Sequence, residues 1–416
     1  MIVIFINKAK TLDSMDDYRP PIFVAGGTIG PKQQIEIDDR GSKEHKFFIP
    51  VDGERAGIGT LEQVIHSKKT GDIISWTSSI EEKELTPADN SFHAKTNMDG
   101  IIRSSLEIPP DCGKKVFIRP EIEVDGDLIG NFVLAYLTYF SKKYGFEIPK
   151  LNSIKDITQI EAAAAIARRK IPQDKQAVPL LLGDSYFLRA DELDFLVDGL
   201  YGKADFAYYF VNKEVFDAFT KKLGAGKFSD EEYRKHKMTF WGMKSERNPV
   251  GLYRLGNLSV VNPLKVDREF LDIIKFIVSN RHIHHEGHES LYSRVSGKIG
   301  KFNNIRRLRK EYISRHPDSR AKINSVVFGL ANIFYSSLFH YHSLDRSLHN
   351  RFPSFEDFSK DITDAISVGG RNFKVLLLPL ELEDSPAGKL YGPGILYDLD
   401  TRRTVDFTKT FAHSYK

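Results

Sequence analysis

Phe373-Lys-Val-Leu-Leu-Leu378 decides how this chain is read. It is an apolar run of strand length, and it arrives after a long stretch of helical pattern. A late strand needs a sheet to join. Short strand-like runs of the same kind crowd the other end of the chain: Ile22-Phe-Val-Ala25, Gln34-Ile-Glu-Ile37, Lys46-Phe-Phe-Ile49, Asp72-Ile-Ile-Ser-Trp76 and Lys115-Val-Phe-Ile-Arg119. Gly, Pro, Asp and Asn separate them. Ile395-Leu-Tyr-Asp-Leu399, beyond a Pro/Gly loop, reads as a further strand. The C-terminal strands are therefore expected to pair with the N-terminal ones, with the helices between as an insertion.

The fold class expected is α+β, with a β-rich N-terminal region and a helical central and C-terminal half. Four regions follow from the pattern: 1–125, β-rich with long loops; 126–260, mixed α/β; 261–370, helical and basic; 371–416, strands and a tail. In the second region, Asp127–Lys143 spaces Leu128, Phe132, Tyr136 and Phe140 four apart. That spacing lays one apolar stripe along a helix. Thr158-Gln-Ile-Glu161 reads as a capping box before an alanine run. Residues 180–212 read as strand, short acidic helix and strand. Asp267–Val278, Ile323–Phe339 and Ser354–Ile366 repeat the helical spacing.

The 416 residues are 41% hydrophobic and 28% charged, an ordinary globular balance. No apolar run approaches the roughly 20 residues that span a bilayer. Met1–Ile6 is apolar but short, lacks a basic flank, and reads as a strand rather than a leader. The single cysteine, Cys112, excludes an internal disulfide and any Cys-based zinc site. A reducing intracellular compartment, the cytoplasm, is the expectation, with a virion if the chain is a coat protein.

The overall charge of +4 hides an asymmetry. Residues 221–322 carry 23 Lys/Arg against 11 Asp/Glu, so the rest of the chain is acidic. Lys298, Lys301, Arg306, Arg307, Arg309, Lys310 and Arg315 concentrate in one stretch, with Phe302 and Tyr312 interleaved. Arginine forks suit phosphates and aromatic rings stack on bases. These residues are the candidate nucleic-acid-binding surface, with RNA as the partner and self-association into an oligomer alongside it.

Four histidines fall within Arg281-His-Ile-His-His-Glu-Gly-His288. On a helix His284 and His288 would share a face and could ligate a metal. The stretch Asn280–Gly287 resembles the Arg-Asn-x-Ile-x-His-x-Gly element of HEPN-type ribonucleases. That resemblance implies metal-independent RNA cleavage with His285 as the catalytic histidine. Asn280 stands where the family has arginine, and Arg281 follows one position late. Phe23-Val-Ala-Gly-Gly-Thr-Ile-Gly30 resembles the nucleophile loop of bacterial asparaginases. That family's Gly-Thr-Asp element is absent, and the segment reads as a turn after a strand. Thr96–Glu107 resembles the loop–helix of CRISPR-type RNA-backbone proteins.

No P-loop, GxGxxG, Ser-His-Asp signature or EF-hand loop occurs. No cofactor is implied. The function expected is therefore a non-catalytic nucleic-acid-associated subunit of a larger assembly, a viral coat or a ribonucleoprotein component. The HEPN-like ribonuclease and a His-ligated metalloenzyme are the alternatives.

Overall fold

The computed structural model describes residues 18–28, 34–36, 43–78, 108–109, 113–119, 128–148, 157–236, 238, 240–265, 310, 314, 353–366 and 372–415. Among them, eight strands form one sheet: β1 (Ile22–Thr28), β2 (Ile73–Ser78), β3 (Val116–Arg119), β4 (Val178–Leu182), β5 (Phe206–Asn212), β6 (Trp241–Met243), β7 (Gly251–Val261) and β8 (Val375–Leu380). The helices that matter below are α1 (Ala56–His66), α2 (Leu128–Tyr144), α3 (Ile157–Lys170), α4 (Ala190–Leu200), α5 (Lys213–Lys222), α6 (Asp230–Lys235), α7 (Phe355–Ile366), α8 (Pro393–Leu396) and α9 (Arg402–Tyr415).

Across the sheet the order is β3-β2-β1-β4-β7-β5-β8, with β6 paired to β7. β1 pairs in parallel with β2 and β4, β2 with β3, and β5 with β8. Only β7 runs against its neighbours β4, β5 and β6.

The reason lies in β1. Ile22, Phe23, Val24 and Ala25 are all buried. Ile22 and Val24 face a core built with α1, α4, α5 and α9, while Phe23 and Ala25 face a second core built with α2 and α3. A strand apolar on both faces belongs inside a sheet covered by helices on each side. Parallel partners then need crossover helices. α1 supplies the crossover from β1 to β2, α2 and α3 from β3 to β4, and α4 from β4 to β5. In α4, Leu193, Leu196, Val197 and Leu200 are buried at helical spacing. A third apolar cluster packs α7 against β6, β7 and β8.

The architecture is thus a mixed α/β molecule around a parallel-rich sheet. The described part of residues 1–125 holds several strands and one α-helix, α1, but β1, β2 and β3 enter the central sheet as parallel strands, so a separate β-rich N-terminal region is not confirmed. Phe373–Leu378 does contribute a strand, β8, to the sheet that holds β1. Its direct partner is β5, from Val375 opposite Phe206 to Leu380 opposite Val211. Ile395–Leu399 is not a strand. Pro393 presets a helical φ, and Ile395 and Leu396 are buried in the turn of α8 that it starts. Thr158 lies inside α3, so the expected capping box does not start that helix.

Tyr136 on α2 shows how firmly a helix is tied to the sheet. Its ring stacks on Phe23 at 6.1 Å, and its hydroxyl donates to the Gln176 carbonyl at 2.9 Å. Tyr136→Phe is expected to cost about 1–2 kcal/mol, because a buried carbonyl loses its donor. A urea titration would show a lower midpoint at unchanged slope. No change in midpoint would mean that Gln176 finds another donor.

No helix among the described residues is long and apolar enough to cross a membrane. Arg281, His284, His285, His288, Lys298, Lys301, Arg306, Arg307, Arg309 and Arg315 lie outside the described residues. Lys310 is described, helical and exposed.

Candidate functional site

The strand order reverses between β1 and β4. From β1 the sheet grows through β2 to β3, and the chain then returns to β1's other flank as β4. Open α/β sheets bind ligands outside the carboxyl ends of their strands at such a switch point. Here β4 ends at Leu182, and the next residues are Gly183 and Asp184.

Gly183 prolongs the contact with β1, its N–H donating to the Ala25 carbonyl at 2.8 Å. A Cβ there would meet the Phe47 ring at 2.5 Å. Glycine therefore lets Phe47 pack over the switch point. Phe47 belongs to a single 3₁₀ turn, Lys46–Phe48, capped by His45 Nδ1, which accepts from the Phe47 N–H at 3.3 Å. Burial of Phe47 and Phe48 fixes that turn and aims Lys46 at Asp184. Lys46 Nζ lies 2.5 Å from Asp184 Oδ2 and 3.6 Å from Asp400 Oδ1.

Asp398 and Asp400 come from the far end of the chain, between α8 and α9. β7 runs antiparallel to β4, with Leu258 opposite Leu181. Arg254, earlier on β7, therefore lies beyond the carboxyl end of β4, where its Nη2 meets Asp398 Oδ1 at 2.8 Å. Between Leu255 and Ser259 the register of β7 on β5 shifts. Such irregularities commonly re-aim side chains beside functional sites. Asp400 sits just before α9, whose first turn is closed by reciprocal hydrogen bonds between Thr401 and Thr404 at 3.0 and 3.1 Å. A helix N-terminus favours negative charge nearby.

The three carboxylates, Asp184, Asp398 and Asp400, converge with one donor oxygen each within 4.8 Å of one another. Asp184 and Asp398 are buried and Asp400 is half-buried. Against them stand Lys46 and Arg254, so one negative charge is left over. Asp398 registers that excess. Burial first, then Asp400 and Asp184, push its carboxyl up to about 6, against the pull of Arg254 and Lys46. Burial works to depress the Lys46 ammonium, but Asp184, Asp400 and Asp398 outweigh it and hold the group above its ordinary range.

An all-oxygen, carboxylate-rich donor set with excess negative charge fits a hard divalent cation such as Mg²⁺ or Mn²⁺. It does not suit a soft thiolate-seeking ion. Sequence reasoning missed these residues. Asp184 and Asp398 stand 214 residues apart in a chain of 416, and Lys46 and Asp398 fall in runs whose sequence predicts strands. The available signal was a carboxylate placed directly after an apolar strand, in Val178-Pro-Leu-Leu-Leu-Gly-Asp184.

No family profile matches the chain, and no curated protein does. Solved structures do. A hypothetical transferase from Thermus thermophilus matches with a TM-score of 0.43 and 13% identity, over 93% of this chain and 100% of its own. The 4-diphosphocytidyl-2C-methyl-D-erythritol synthase of Anaerococcus prevotii matches with a TM-score of 0.34 and 8% identity, over 96% of this chain and all of its own. A CMP:2-keto-3-deoxy-manno-octonic acid synthetase complexed with CTP matches with a TM-score of 0.29 and 9% identity, over 69% of this chain and 86% of its own. None of these three names a coat protein, a ribonucleoprotein subunit or a ribonuclease, so the expected non-catalytic subunit and its ribonuclease alternative find no support among them.

Proposed function

We propose that this protein is a divalent-cation-dependent transferase acting on a nucleoside triphosphate, with its reaction centre at Asp184, Asp398, Asp400 and Lys46. One observation carries the reading: three carboxylates from distant parts of the chain converge at the carboxyl end of β4, beside the switch point of a parallel-rich sheet. Cytidylyl chemistry in the named neighbours is their own activity. The support on this chain is its carboxylates, its lysine and their place in the sheet.

Asp184, Asp398 and Asp400 would hold the cation, which when bound neutralises charge on phosphate oxygens. Lys46 presents an ammonium that stays protonated at any physiological pH, a point charge suited to the same oxygens. Arg254 keeps Asp398 turned toward the cluster. The reaction class is nucleotidyl transfer. An acceptor oxygen bonds to the α-phosphorus, the α–β phosphoanhydride bond breaks, pyrophosphate leaves with that electron pair, and the acceptor's proton passes to solvent.

The test is pyrophosphate release from each of the four nucleoside triphosphates, with Mg²⁺, with Mn²⁺ and with EDTA. Slow release to water as acceptor suffices for detection. Release with at least one triphosphate, abolished by EDTA and restored by added cation, is the expected result. Absence of release, together with absence of Mn²⁺ binding below millimolar concentration, would discard the reading.

A further inference from the structure

Glu192 is a carboxylate in an unusual place. It lies on α4 with 0% exposure, where glutamate is rare unless paired. Its Oε1 accepts two backbone hydrogen bonds, from Gly392 at 2.6 Å and Gly394 at 3.1 Å. Its Oε2 is buried without a hydrogen-bond partner. We infer that Glu192 is a positioning residue for the acidic cluster: its carboxylate clamps the Gly392–Gly394 turn and through it sets where Asp398 and Asp400 stand. The inference rests on the site reading above.

The turn is shaped for this contact. Gly392 has φ of 112°, a conformation that side chains rarely adopt. Pro393 then fixes the next φ. A Cβ on Gly394 would lie 2.4 Å from Leu188 Cα and 2.7 Å from Glu192 Oε2, so only glycine leaves room for the carboxylate. From the clamp to the carboxylates the chain is held at every step. Ile395, Leu396 and Tyr397 are buried. The Tyr397 ring stacks on Phe216 at 5.7 Å, and its hydroxyl bonds His236 Nδ1 at 2.8 Å. Asp398 follows directly, bound to Arg254. A displacement at Gly394 therefore has little slack to absorb it before Asp398.

The groups that face Glu192 are few. Arg189 immediately precedes α4 and Asp191 lies within it, Tyr415 comes from α9, and the Gly392 turn offers only backbone N–H groups. Burial, the largest influence, pushes the carboxyl up to about 7, against Arg189 and the two N–H donors, with Asp191 adding to the rise. The clamp therefore changes charge near neutrality. Ionised, it holds both N–H groups strongly; protonated, it grips them less.

The experiment uses the full-length protein, ¹⁵N-labelled at Gly and Asp, as wild type and Glu192→Gln. Amide resonances are followed from pH 5 to 9, and Mn²⁺ affinity is measured by electron paramagnetic resonance across the same range. In wild type the Gly392 and Gly394 amides should titrate with a midpoint near 7, and in Glu192→Gln they should not. Mn²⁺ affinity should rise about tenfold more between pH 6 and 8 in wild type than in the variant, one titrating group's influence. Asp398 titrates in both proteins, so the difference isolates Glu192. Identical pH profiles in the two proteins, or Gly392 and Gly394 amides that ignore pH, would overturn the inference. If wild type binds no Mn²⁺ at any pH, the cation-site reading fails by itself. Glu192 is then judged by the Asp398 and Asp400 amides, which track its midpoint if the clamp positions them and stay still if it does not.

Discussion

Asp184→Asn is expected to reduce turnover by on the order of 10³-fold and to weaken Mn²⁺ binding strongly, while leaving thermal stability unchanged or raised. The two halves of that result have one cause. Asp184, Asp398 and Asp400 are like charges held within 4.8 Å, and two cationic side chains do not balance them. Removing one negative charge relieves repulsion within the buried cluster, and Lys46 retains Asp400 as a partner at 3.6 Å. A site that keeps like charges together at a cost to the fold behaves this way when one is neutralised. Purely structural carboxylates would give the opposite pattern, with lost stability and intact turnover. Differential scanning calorimetry beside the pyrophosphate assay separates the two.

Stability of the metal-free protein should fall as pH rises from about 4 to about 6. Asp398 has its carboxyl raised from an ordinary 3.8 to about 6 in the folded protein. The folded state therefore binds that proton more tightly than the unfolded chain does. Its stabilising contribution is complete below about 4 and is lost as pH rises to about 6. Metal-free protein should lose stability across that window. Excess Mn²⁺ should oppose the loss, because the cation prefers the ionised carboxylate. In Asp184→Asn the slope should flatten, since one source of the upward push is gone.

Much of the strand inventory was legible. The runs Ile22–Ala25, Asp72–Trp76, Lys115–Arg119, Phe206–Val211 and Phe373–Leu378 each mark a strand of the sheet, because buried strands concentrate β-branched, aromatic and leucine side chains in short bursts. The order and direction of pairing were not legible. β8 pairs with β5 rather than with the N-terminal strands, with α7 packed against it, and nothing in the strand's own sequence names that partner. The site was hidden for a related reason. Histidines clustered in sequence drew attention to 282–288, whereas Lys46, Asp184, Asp398 and Asp400 are scattered along the chain. They meet because β4 lies beside β1 and because β7 brings Arg254 to the α8–α9 junction. A constellation assembled by sheet order leaves no local motif in the sequence.

Lys46→Met should be the most destabilising single change at this site, costing about 3–5 kcal/mol in metal-free protein near pH 7.5. Methionine replaces the stem of the side chain with little loss of packing, so the effect isolates the charge. Lys46 is largely buried against Asp184, itself 3% exposed, and its removal leaves three carboxylates facing Arg254 alone. Two remedies should each restore stability. Mn²⁺ can replace the missing positive charge, so its stabilising effect on Lys46→Met should exceed that on wild type at saturating concentration. Acid can neutralise the surplus carboxylates, so the gap between variant and wild type should narrow as pH falls through 6. The two remedies are diagnostic together. Rescue by acid without rescue by cation would show a buried ion pair that binds no metal. Rescue by neither would show that Lys46 acts by packing the Phe47–Phe48 turn over β4, and the electrostatic account of the cluster would then fall.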